Sequence, residues 1–114
     1  MQIIRFSHVE LNSYFFKLQQ KNINAVLNGL EQVLKTGGTA SGSAINVNGA
    51  RMGGKTGTSQ VIRTRANGES FVGNNGFLIS YAPADNPQIA LCVAVEGASS
   101  GTAVAPIAAR IYEY

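Results

Sequence analysis

Two short turn signals divide the second half of the chain into three β-prone runs, and this spacing limits the fold more than any other feature. Asn67-Gly68 is a preferred hairpin dipeptide, and Pro83 to Pro87 is a proline-rich turn. The runs around them cover about residues 53–62, 71–81 and 88–96. Because strands joined by hairpins run antiparallel, the sequence predicts a three-stranded antiparallel sheet.

The third run has the clearest strand pattern, and the second run contains two glycines. Large residues of the third run alternate with small ones: Ile89, Leu91, Val93 and Val95 against Ala90, Cys92 and Ala94. The small face is expected to receive a closely packed helix, and Cys92 is expected to be a buried core residue. The second run is expected to be one strand, or two pieces bent around Gly73 to Gly76.

Helices are predicted before and after the three strands. Apolar residues recur at helical spacing between Asn22 and Thr36, with Asn22 as cap and Gly37-Gly38 as the end. This apolar stripe, expected to face the core, consists of Ile23, Val26, Leu27, Leu30, Val33 and Leu34. A closing helix is predicted over Thr102 to Tyr112, with Pro106 in its first turn. The predicted class is α+β, an antiparallel sheet with flanking helices.

Composition excludes several functional classes. The net charge of +3 is spread over scattered Lys and Arg residues without a basic run, so no nucleic-acid partner is expected. The single histidine, His8, has no neighbours at metal-ligand spacing, so neither a metal nor another cofactor is expected. No apolar run is long enough to cross a membrane, and the start does not resemble a signal peptide. Any membrane anchor of a parent protein is expected outside this chain.

The segment Gly53 to Gln60, Gly-Gly-Lys-Thr-Gly-Thr-Ser-Gln, carries the most chemical information. Together with Gly49 it fits the bare spacing of a phosphate-binding loop. Such a loop needs a buried parallel strand before it and a helix after it. Here a turn precedes the segment and β-prone residues follow it. The alternative interpretation is a Lys-Thr-Gly strand, one of three motifs shared by serine β-lactamases and penicillin-binding proteins.

The segments around Lys55-Thr-Gly57 support the second interpretation. Residues 74–83, 84–90 and 101–107 resemble, in order, the strand, the turn with its strand and the last helix start of class B penicillin-binding proteins. Residues 25–40 resemble the helix and the Gly-Thr-Ala loop that precede the motif in that family. The resemblance makes residues 22–114 the C-terminal part of a transpeptidase domain and leaves residues 1–21 unassigned.

This resemblance implies acyl transfer on peptidoglycan stem peptides and reaction with β-lactams. In the family a serine attacks the D-Ala-D-Ala carbonyl, and an amine of a neighbouring strand then takes the acyl group. Lys55 would supply positive charge and hydrogen bonds to the catalytic network. The hydroxyls of Thr56 and Thr58 would bind the terminal carboxylate, and the Thr58 N–H would be an oxyanion-hole donor. Gly57 would allow another element to approach the strand, whose edge could pair with substrate.

The chain departs from the family pattern in two ways. No serine is followed by lysine three residues later, the spacing of nucleophile and base, and none by asparagine two residues later. Ser13 precedes Lys17 by four residues, which is the wrong spacing. Without nucleophile and base the chain is expected to be inactive alone, as an excised, truncated or split piece that needs the upstream part of the domain. Its exposed sheet edges predict marginal stability or self-association.

Two alternatives to a transpeptidase remain open at this point. One is a β-lactam sensor or β-lactamase relative, and the other is a non-catalytic binding or interaction fragment. The turn at Ala82 to Pro87 and the helix start at Thr102 to Ile107 favour the transpeptidase, and Gln60-Val61 resembles elongation-type members. The resemblance also implies a parent protein at the cytoplasmic membrane, with this domain on its outer face.

Overall fold

The computed structural model describes residues 19–44 and 49–114, so the predictions for residues 1–18, His8 included, and for Ile45 and Val47 lie outside the described residues. The elements are α1 (Gln20–Gln32), a 3-10 turn (Ser41–Ser43), β1 (Gly53–Thr64), β2 (Ser70–Ala82), β3 (Ile89–Glu96) and α2 (Ala105–Glu113). The strands form one antiparallel sheet in the order β1-β2-β3. This arrangement confirms the predicted α+β class and the three hairpin-linked strands.

The β1–β2 hairpin is longer and more regular than the sequence predicted. It runs from the pair Gly53–Tyr81 to the pair Thr64–Ser70, and Gly68 in the turn has a φ of 84°. Of the two possibilities for the second run, the single strand is correct, because β2 is one strand of 13 residues. Its glycines leave room for neighbouring groups. A Cβ on Gly73 would meet the Arg63 side chain, and a Cβ on Gly76 would meet the chain that follows β3.

The hydrophobic core lies on one face of the sheet, between the strands and α2. Its fully buried large side chains are Leu78 and Val104. The other core residues are Leu34, Ala40, Met52, Ala82, Leu91, Val93, Ala105, Ala108 and Ala109. The core is thus built from large strand residues and small helix residues.

This core corrects two predictions about β3. The helix packs on the face that carries Leu91 and Val93, not on the small face, and Cys92 is exposed. The physical reason is that close packing needs small residues on only one of the two partners. The alanines of α2 supply them, so the small face of β3 is left in contact with solvent.

The first helix is shorter and less buried than predicted. It begins at Gln20 and ends at Gln32, and its N-cap residue is Gln19 rather than Asn22. None of its 13 residues is buried, and Val26 is 62% exposed, so the expectation that the whole stripe faces the core is wrong. Leu34, just after the helix, is the member of the stripe that is buried in the core, and Val33 packs against it.

A few contacts near the start of β1 attach α1 to the sheet. Glu31 lies 3.4 Å from Arg51, and the Tyr81 hydroxyl donates to the Leu27 carbonyl oxygen over 3.4 Å. Glu31 also lies 3.6 Å from Lys35, one turn further along the same segment. The Arg51 and Lys35 side chains are about half exposed, and ion pairs with such exposed partners contribute little stability each. Within residues 19–44 and 49–114, no helix has both the length and the apolar character needed to cross a membrane.

The second helix is attached to the sheet by a hydrogen bond whose removal should be measurable. The hydroxyls of Tyr112 and the buried Ser80 lie 3.0 Å apart. We expect Tyr112→Phe to lower the free energy of unfolding by about 1 kcal/mol at pH 7, since it leaves the Ser80 hydroxyl without this partner. Urea denaturation measures this loss, and Tyr114→Phe, at an exposed tyrosine, is the control.

The same tyrosine should also affect stability at high pH. Burial raises the pKa of Tyr112, an effect that the hydrogen bond to Ser80 partly opposes. A pKa raised by folding gives stability that is complete below the unfolded value of about 10 and is lost as the pH rises through the folded value. We therefore expect the free energy of unfolding to fall less in Tyr112→Phe than in the unsubstituted protein between about pH 9 and 11. Equal losses in the two proteins would contradict this.

Candidate functional site

The predicted Lys-Thr-Gly-Thr segment lies in β1, at an edge of the sheet. Within the described part of the chain β1 pairs only with β2, in a register that places Lys55 opposite Ile79 and Thr58 opposite Gly76. The strand continues to Thr64 and turns back into β2. The phosphate-loop alternative is wrong, because Lys55 is the third residue of an antiparallel strand, and the chain continues as this strand where a phosphate-binding loop needs a helix.

Lys55 and the two threonines project from opposite faces of this edge strand. Lys55 is exposed beside Ile79, and its Nζ donates to the Thr56 carbonyl oxygen over 2.7 Å. Thr56 and Thr58 share the other face with Leu78 and Gly76. The alternation predicted from the sequence is therefore present, and the open edge of β1 is where the two faces meet.

A residue that the sequence interpretation missed holds the Thr58 side chain. The backbone N–H of Gly101 donates to Thr58 Oγ1 over 3.1 Å, although the two residues are 43 positions apart. Gly57 was expected to let another element approach the strand without a Cβ clash, but Gly101 is the residue that has to be glycine. A Cβ on Gly57 would meet only the Phe77 Cβ at 3.6 Å, whereas a Cβ on Gly101 would lie 2.4 Å from the Gly57 carbonyl oxygen.

The Lys55 face of the sheet is apolar and open. Ile79 is 56% exposed, and beside it Ala90, Cys92 and Ala94 of β3 are exposed as well. A shallow cavity of about 350 Å³ on this side is lined mainly by apolar residues: Leu30, Gly54, Ile79, Ser80, Tyr81, Ala90, Leu91 and Cys92. Among the residues that the structure describes, no three His, Cys, Asp or Glu side chains are grouped as a metal site requires.

Comparison with known proteins relates the chain to a protein family and to solved structures. The sequence profile of the penicillin binding protein transpeptidase domain matches residues 13–113. A crystal structure of Pseudomonas aeruginosa PBP2 in complex with WCK 5153 is similar to this chain, with a TM-score of 0.62 and 34% sequence identity. That match covers 81% of this chain and 18% of the PBP2 chain. No curated protein sequence matches the chain significantly.

Proposed function

The chain belongs to the penicillin binding protein transpeptidase family, and from this premise we propose that it supplies the substrate-binding edge of a peptidoglycan D,D-transpeptidase. The observation that carries the proposal is the position of Lys55 to Thr58 on the open edge of β1. Because the chain spans 18% of the PBP2 chain, the activity of a whole enzyme is part of the proposal.

In this proposal the D-Ala-D-Ala end of a stem peptide lies along the edge of β1. A ligand at the edge is within reach of both faces, so it can meet the Lys55 ammonium on one side and the Thr56 and Thr58 hydroxyls on the other. Charge-assisted hydrogen bonds from the hydroxyls would hold the terminal carboxylate. The fixed N–H of Thr58 would stabilise the developing oxyanion, an effect worth roughly 3 kcal/mol per donor.

The serine nucleophile and its base must come from outside these 114 residues, since no Ser-x-x-Lys is present. A further part of the domain would pack on the exposed apolar face beside Lys55. Covering a face that contains Ile79 and Cys92 removes apolar surface from water and so stabilises the domain. The serine would then reach the substrate from the Lys55 side. We also propose an elongation-type parent that acts at the outer face of the cytoplasmic membrane.

Intact-mass measurement after incubation with a penicillin tests the proposal. The test protein is a hybrid enzyme in which residues 20–114 replace the matched segment of Pseudomonas aeruginosa PBP2. We expect the hybrid enzyme to gain one covalent penicillin and the isolated chain to gain none, since only the hybrid would contain a nucleophile.

PBP2 itself is the positive control, and circular dichroism shows whether the hybrid enzyme is folded. A folded hybrid enzyme without an adduct would contradict the proposal, and so would an adduct on the isolated chain. Rapid hydrolysis of the adduct, with release of opened penicillin, would favour the β-lactamase alternative over the transpeptidase.

A further inference from the structure

The loop between β3 and α2, residues 97–104, crosses the Thr56 and Thr58 face of β1. We call it the β3–α2 loop. Gly101 within it is buried, and its N–H donates to Thr58 Oγ1 over 3.1 Å. A Cβ at Gly101 would lie 2.6 Å from both the Gly57 nitrogen and the Phe77 carbonyl oxygen. Because real Cβ atoms do not approach other atoms so closely, only glycine lets the loop bring this N–H to the strand.

Two asparagines of β2, the strand that pairs with β1, also hold the β3–α2 loop. The Asn74 side-chain amide donates to the Ser99 carbonyl oxygen over 3.0 Å, and the Gly97 N–H donates to Asn75 Oδ1 over 3.3 Å. Between these anchors, Gly76 is the direct partner of Thr58, and a Cβ there would meet the Ser100 carbonyl oxygen at 2.5 Å. The loop is therefore fixed to both strands around the Thr58–Gly76 pair.

This contact determines what the Thr58 hydroxyl can do. A threonine hydroxyl has one hydrogen to donate and two lone pairs that accept. When Oγ1 accepts a hydrogen bond from the Gly101 N–H, the hydroxyl hydrogen is left free for another acceptor. Hydrogen bonds in such a chain polarise one another, so the bond from Gly101 strengthens the bond that the Thr58 hydroxyl donates. A hydroxyl in this state is suited to an anionic ligand, because a carboxylate can only accept.

We propose that Gly101 is a positioning residue for the transpeptidase site, because its N–H orients the Thr58 hydroxyl to donate to the substrate carboxylate. The inference rests on the proposed function, since it concerns the same edge of β1. It adds a residue that touches neither substrate nor nucleophile and that acts through Thr58.

A double-mutant cycle on the acylation rate of the hybrid enzyme tests the inference. We expect Gly101→Ala to slow acylation by penicillin about tenfold when Thr58 is present, and by less than about twofold in a Thr58→Val background. A purely structural effect of Gly101→Ala would be equal in both backgrounds. Gly29→Ala is the matched control, because a Cβ at Gly29 meets nothing within 4 Å, and it should leave the rate unchanged.

A second measurement does not depend on the folding of Gly101→Ala. In the 114-residue chain, amide hydrogen exchange at Gly101 should accelerate about tenfold in Thr58→Val and stay unchanged in Thr58→Ser, which keeps the acceptor oxygen. Unchanged exchange in Thr58→Val would overturn the inference, as would additive effects in the cycle. If the unsubstituted hybrid enzyme is folded but not acylated, the proposed function fails, and this inference fails with it.

Discussion

Lys55→Ala is expected to slow acylation of the hybrid enzyme by penicillin by about 10²–10³-fold, the range found when one preorganised charge-stabilising group is removed from an active site. Lys55 is an exposed cation on the open edge of β1. Its removal should not disturb the core, so the free energy of unfolding should change by less than about 0.5 kcal/mol.

The time course of adduct formation, followed by intact mass, measures this rate. Lys21→Ala is the matched control, because Lys21 is an exposed lysine on α1 and is not part of the Lys55 to Thr58 segment. It should acylate at the rate of the unsubstituted hybrid enzyme. If Lys55→Ala slows acylation less than about threefold, Lys55 has no catalytic role and the assignment of this strand is wrong.

Leu78→Ala should give the largest loss of stability among the substitutions considered. Leu78 is fully buried in the middle of the central strand, where it pairs with Thr56 on one side and Val93 on the other. Removing its side chain should cost about 2–5 kcal/mol, since the apolar transfer energy is lost and a cavity remains. Native proteins are stable by only about 5–15 kcal/mol, so this loss would be a large fraction of the total.

Urea denaturation of the 114-residue chain checks this, with Ile79→Ala as the neighbouring control. Ile79 lies on the opposite face of β2 and is 56% exposed, so its truncation should cost less than about 1 kcal/mol. Equal losses for the two substitutions would show that the core does not lie on the Leu78 face.

Local signals in the sequence were sufficient for the strands and the motif. Asn67-Gly68 defined the first hairpin, and period-2 alternation correctly separated Lys55 from Thr56 and Thr58. These features depend on residues close together in the chain, which is why they can be predicted without a structure.

Features that depend on distant residues could not be predicted in this way. Alternation in β3 shows which residues share a face, but it does not show which face α2 covers, and the burial of Cys92 was predicted wrongly for that reason. The contact between Gly101 and Thr58 joins residues 43 positions apart, and no pattern in either segment indicates it. The amphipathic spacing in α1 likewise predicts a helix without showing how little of it is buried.

A crystal structure of the hybrid enzyme acylated by a penicillin would test most directly whether Lys55 to Thr58 form the substrate-binding edge. We expect the penicillin carboxylate to accept hydrogen bonds from the Thr56 and Thr58 hydroxyls at about 2.5–3.0 Å. The acyl carbonyl oxygen should lie about 2.7–3.1 Å from the Thr58 nitrogen. An adduct whose carboxylate and carbonyl oxygen contact none of these four residues would contradict the proposed function.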